Sequence, residues 1–103
     1  MHFVVLATHD ADVCPTGNAK TRELMMELGP QIPALAEKSG VRIVAGPYAN
    51  REHLIVTVVE ATAEDLDQFL VDARLPQWNT VRIVPSLPIE EAMQQLQAQT
   101  PIF

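Results

Sequence analysis

A single cysteine, Cys14, stands in this chain of 103 residues, so no disulfide closes within it. Aromatic residues make up only 5%. Few flat side chains are therefore on hand for stacking on bases or sugars, and the expected core is aliphatic. Basic residues are scarce as well: seven Lys and Arg against thirteen Asp and Glu leave a net charge of −6. That field repels phosphate backbones, and Lys20, Arg22, Lys38, Arg42, Arg51, Arg74 and Arg82 form no run, so neither nucleic acid nor an anionic membrane surface is an expected partner. No stretch approaches the roughly 20 apolar residues that a membrane helix needs. The start, Met1 to Ala7, lacks the positively charged region of a secretory leader, and with the lone thiol this sets the expectation of a reducing, cytoplasmic location.

What is present suits one folded domain: 48% hydrophobic and 19% charged residues. Phe3 to Thr8 reads as a strand, apolar and rich in β-branched residues. Asp10 to Gly17 is full of turn formers and reads as a loop. Asn18 is placed to cap a helix whose stripe is Leu24, Leu28, Ile32 and Leu35; Gly29-Pro30 and Pro33 kink or split it, and Gly40 suits a left-handed cap at its end. Val41 to Ala45 and Glu52 to Glu60 read as strands two and three, an antiparallel hairpin around Gly46 to Arg51. Thr62 caps the next helix, with Asp65 as the capping-box acid and Leu66, Phe69, Leu70 and Ala73 on the buried face. Leu75-Pro76 ends it. Thr80 to Val84 is a fourth strand, and Ile89 to Ala98 a last helix with Ile89, Met93 and Leu96 on one side.

The order β-α-β-β-α-β-α predicts an α+β, ferredoxin-like domain with an added C-terminal helix. In that arrangement helices cover one face of the sheet and leave the other bare. A bare face in water alternates toward polar residues. Here Val4-Val5-Leu6-Ala7 and Leu54 to Val59 are almost continuously apolar, which predicts that both faces are covered. The simplest cover is the sheet of a second copy, making a homodimer; the last helix folded across the face is the other option.

Candidate chemistry gathers in His9-Asp10-Ala11-Asp12-Val13-Cys14-Pro15. Strands one and three are antiparallel neighbours in the ferredoxin-like sheet. The end of the first, His9, and the start of the third, His53, therefore meet at one end of the sheet, from which the Cys14 loop also leaves. His9 shares a side with Phe3, Val5 and Ala7, and His53 with Ile55, Thr57 and Val59; whether those are one face depends on register. Two imidazoles and a thiolate with a fourth position open suit zinc, and they suit copper. Mononuclear iron would more often want a carboxylate such as Asp10 or Glu52. The same atoms also suit a metal-free site in which Cys14, near a helix N-terminus, pairs with His9 or His53 for nucleophilic or redox work. The plain alternative is a buried small thiol with histidines satisfied by backbone groups. Trp78 and Tyr48, the large polar-tipped aromatics, either line a pocket mouth or pack at element ends.

Phe3-Val4-Val5-Leu6-Ala7, Val41-Arg42-Ile43-Val44-Ala45-Gly46-Pro47 with its Ala-Gly-Pro turn, and a last strand reaching Pro85 resemble the YCII-like group of the dimeric α+β barrel superfamily. The resemblance covers nearly the whole chain in element order. It implies a dimeric barrel and activity on a small organic substrate, as in the superfamily's cofactor-independent monooxygenases and isomerases. It also implies a His-Asp pair, for which His9-Asp10 is the match and His9 the acid/base. The segment His9 to Pro15, with its cysteine, departs from that pattern. Three functions thus stand open: a small metal-binding protein or metalloenzyme; a YCII-like or monooxygenase-like enzyme; and a non-catalytic ligand-binding dimer.

Overall fold

A computed structural model describes residues 1–103. The elements are β1 (His2–Thr8), α1 (Ala19–Leu28), α2 (Ile32–Ser39), β2 (Arg42–Ala49), β3 (Leu54–Glu60), α3 (Ala63–Asp72), β4 (Thr80–Ser86) and α4 (Ile89–Ala98), with short 3-10 turns at Ala11–Val13, Gly29–Gln31 and Leu75–Gln77. The strands form one antiparallel sheet in the order β2-β3-β1-β4. This open α+β sheet is compatible with the ferredoxin-like order expected from the sequence.

Local signals explain the helix boundaries. The Asn18 side chain accepts the Thr21 N–H at 3.0 Å and so caps α1. Gly29-Pro30 breaks the first apolar stripe into α1, a 3-10 turn and α2, because proline withdraws a donor from the ladder. Gly40 closes α2 in the left-handed conformation at φ +79°. Thr62 caps α3 by accepting from Asp65 N–H at 3.1 Å, and Glu64 and Asp65 face the positive end of the helix. Only this half of the capping box forms; Asp65 instead lies against Gly40.

The hairpin differs from expectation. β2 continues through Gly46-Pro47-Tyr48 to Ala49, and β3 begins at Leu54, not Glu52. Register shifts between Ile43 and Ala45 and between Ala45 and Tyr48 absorb the turn-forming residues inside the strand. Gly46 is required there: it sits at φ +83°, where a Cβ would meet Val56 O at 2.5 Å. The turn is thereby left to Asn50 to His53.

The core lies between the sheet and the helices. Phe3, Val5 and Val59 from the strands meet Ala36 of α2, Leu66, Phe69 and Leu70 of α3, and Ala73 at the end of α3. Residues opposed across antiparallel strands share a face. The pairs Phe3–Val59, Val5–Thr57 and Ala7–Ile55 therefore place the alternate side chains of β1 and β3 on the helix side. The other face carries Val4, Leu6, Val56, Val58 and Val84, all half-buried and none fully covered. At one end of that face Arg42 donates to Glu60 at 2.8 Å, with His2 at 3.4 Å. The Arg42 guanidinium beside Glu60 holds its carboxyl below the usual range.

The last helix does not cover this face. α4 has no fully buried residue and makes no extensive contact with another element.

Candidate metal centre

Three strand ends meet at one end of the sheet. Thr8 ends β1 opposite Leu54 at the start of β3 and Thr80 at the start of β4. One residue further, His9 N–H donates to the carbonyl of His53 at 3.1 Å, so the pairing runs on past the strands. The register left open by the sequence is thereby decided: His9 continues the Phe3, Val5, Ala7 side, and that side is shared with Ile55, Thr57 and Val59.

His53 lies in the turn before β3 at φ +56°. A non-glycine residue held in the left-handed region costs on the order of 1–3 kcal/mol. Its carbonyl is tied to His9, and the turn before it is closed by Glu52 N–H donating to Asn50 Oδ1 at 2.9 Å. The two imidazoles stand edge-on with ring centroids 5.5 Å apart.

The Cys14 loop is clamped to the first turn of α1. Asn18 Nδ2 donates to Asp12 O at 3.1 Å, and the Arg22 guanidinium donates to the carbonyls of Pro15 and Thr16 at 2.8 and 2.6 Å. Asn18 N–H and Gly17 N–H both donate to Cys14 O. Cys14 is thereby buried, with 7% of its surface exposed. Its sulfur accepts from the Thr16 hydroxyl at 3.1 Å. That hydroxyl first, and then the Thr16 backbone N–H, stabilise the thiolate against the opposing effect of burial. They lower the pKa from 9.0 to about 6. Thr16→Val is expected to move the midpoint back toward 9, read as the pH dependence of thiol alkylation; an unmoved midpoint would mean that Thr16 does not set it.

One ring nitrogen of His9 is fixed by a residue that the sequence reading did not single out. Asn79, buried, donates Nδ2 to Leu75 O at 3.1 Å, which turns its Oδ1 toward His9 Nδ1 at 2.9 Å. An amide oxygen only accepts, so Nδ1 carries the hydrogen, and in the neutral ring Nε2 keeps the lone pair. His9 Nε2 is buried and has no hydrogen-bond partner. A buried acceptor without a partner is costly in a folded protein. A ligand atom from each of His9, Cys14 and His53 lies within 4.8 Å of the others.

Trp78 packs on the His9 ring with centroids 4.9 Å apart. Of the two roles weighed for it, it takes both: it buttresses the imidazole and lines a cleft of about 430 Å³ with Thr8, His9, Asp10, Asn79 and Thr80. Tyr48 is exposed on β2. Asp10 is exposed and lines the same cleft, and no hydrogen bond joins it to His9, whose Nδ1 meets Asn79. Asn79 was within reach of the sequence: a fourth strand antiparallel to the first begins at the same end of the sheet where His9 ends. Thr16 carried no signal beyond its nearness to Cys14.

The three residues selected from the sequence are thus brought together, with Asn79, Thr16 and Trp78 supporting them. No protein-family model matches this chain, and no curated protein matches it either, so its chemistry is read from its own atoms.

Proposed function

We propose that this chain binds one transition-metal ion, zinc or copper, through His9 Nε2, Cys14 Sγ and a ring nitrogen of His53. The observation that carries the reading is the approach of the three ligand atoms to within 4.8 Å. Around a tetrahedral zinc with bonds of about 2.0–2.3 Å, neighbouring ligand atoms stand about 3.3–3.6 Å apart. Closing the present cluster onto an ion thus takes shifts on the order of 1 Å. The orphaned His9 Nε2 supports the same reading, since a metal supplies its missing partner. So does the Asn79 bond to Nδ1, the usual way a ligand histidine has its tautomer and orientation set. Neither Asp10 nor Glu52 belongs to the cluster, which favours zinc or copper over mononuclear iron.

Three protein ligands leave a tetrahedral ion one position for water or a small ligand, the arrangement of catalytic rather than closed structural sites. Of the three ligands, His9 alone lines the polar cleft beside the cluster. A metalloenzyme acting on a small polar substrate is the function that suits this set. We also propose that a second copy covers the open face of the sheet.

The test is elemental analysis of protein purified without an affinity tag, followed by titration of the metal-free chain with Co(II). One zinc or copper per chain is expected, with a thiolate-to-cobalt charge-transfer band that saturates at one equivalent. Absence of metal together with absence of that band would overturn the reading. The lowered Cys14 thiol favours a second one, a metal-free Cys-His pair for nucleophilic chemistry. It predicts rapid alkylation near neutral pH, lost on Cys14→Ala, in a chain that takes up no metal.

A further inference from the structure

Two apolar surfaces of this chain lack a cover. One is the open sheet face of Val4, Leu6, Val56, Val58 and Val84. The other is α4, whose stripe Ile89, Met93 and Leu96 is 68, 50 and 66% exposed. Ile102 and Phe103, which follow it, are exposed as well. Spacing at i, i+4 and i+7 makes this stripe the buried side of an amphipathic helix, yet nothing in the chain buries it.

Geometry keeps the two surfaces of one molecule apart. α4 is joined to β4 by Leu87-Pro88 alone, and Pro88 is fixed at φ −53° and ψ 143°. The helix projects from the body, and the whole chain measures 55 Å on its longest axis. The radius of gyration is 16.1 Å, whereas a compact chain of this length has about 13 Å.

Dimensions and charge fit the two surfaces to each other. The 10 residues of α4 span about 15 Å. Four strands at about 4.8 Å spacing are about 14 Å across. Arg82 is exposed on β4 in the same row as Leu6 and Val56, within the apolar face, and forms no ion pair. The first turn of α4 carries Glu90 and Glu91, and the helix has no Lys or Arg. The same acidity disfavours an anionic lipid surface as the cover.

We infer that α4 is an exchanged arm: it lies across the open sheet face of a second copy, with its stripe on the half-buried valines and Leu6, and Glu90 and Glu91 toward Arg82. The exchange is reciprocal, so each copy both gives and receives an arm and the assembly closes as a two-fold dimer. This rests on the proposal that a second copy covers the face, and names the element that does so. It is independent of the metal.

Sedimentation equilibrium on the full chain tests it. The native chain is expected to be a dimer at micromolar concentration. Met93→Asp, and separately the pair Ile89→Asp with Leu96→Asp, are expected to weaken association at least 100-fold while the circular dichroism of the folded chain is kept, since these side chains are exposed in a single copy. Arg82→Glu is expected to weaken association, and Glu90→Arg with Glu91→Arg in the same chain to restore it. A dimer that survives both α4 variants overturns the arm and leaves a second copy's sheet as the cover. A native chain that stays monomeric at 100 µM overturns the arm and the covering copy together. Binding of that monomer to phosphatidylcholine vesicles, in place of self-association, does the same.

Discussion

Replacing Cys14 with serine is expected to abolish stoichiometric metal binding, lowering affinity by more than about 100-fold. Loss of a supporting residue around a metal already costs about 10–100-fold, and a direct ligand counts for more. Serine keeps the size of the side chain, but its hydroxyl stays protonated at neutral pH and is a poor ligand for zinc or copper. Cys14, by contrast, loses its proton near pH 6. Above that value the metal meets a thiolate already formed; below it each bound ion must displace a proton, so uptake is expected to fall as the pH drops through about 6. The same shift bears on the metal-free fold. A thiol lowered from 9.0 stabilises the folded chain above its unfolded value, and that contribution is lost as the pH falls through about 6. Titration with Co(II), read at the thiolate charge-transfer band, measures the affinity. His53→Gly makes the experiment specific. Glycine adopts φ +56° without strain, so this variant is expected to keep its stability within about 1 kcal/mol while losing the metal. Undiminished cobalt affinity in Cys14→Ser would remove the thiolate from the site.

The fold itself is most exposed at Leu66. This side chain is fully buried, at the centre of the cluster joining β1 and β3 to α2 and α3. Leu66→Ala leaves a cavity in a closely packed region and is expected to cost about 2–5 kcal/mol. Against a total stability of about 5–15 kcal/mol, that is enough to unfold a marginal domain and to lower Tm by more than about 10 °C. Only 14 of 103 residues are buried, so little remains elsewhere to compensate. Urea unfolding measures it: the midpoint should drop while the slope is kept. A loss under about 1 kcal/mol would mean that α3 is not anchored through this residue.

The site was partly legible before the fold was known. His9 and His53 follow from strand order, because an antiparallel neighbour must begin where β1 ends, and Cys14 follows from the loop that leaves the same point. Asn79 was legible by that reasoning applied to β4, but an asparagine before a strand also reads as an ordinary turn residue. The strained backbone of His53 was not legible. It results from β2 taking up Gly46-Pro47-Tyr48 and pushing the turn onto Asn50 to His53, an outcome of sheet pairing that local turn propensity runs against. The bare sheet face was legible from the unbroken valines, but the fate of α4 was not, since its stripe looks the same packed or free.

The sequence by itself determined where the first three helices begin, break and pack: Asn18 and Thr62 as caps, Gly40 as a left-handed stop, the proline break between α1 and α2, and the buried stripe of α3. These effects act within a few residues, so they are written in local order. Tertiary structure alone decided that His9 and His53 share the helix-side face, that Asn79 leaves His9 Nε2 free, and that α4 stands apart with its apolar stripe exposed. Each depends on register or on contacts between residues far apart in the chain. A shift of one residue in a strand would turn every side chain to the other face, and no local pattern specifies which alternative the packed sheet selects.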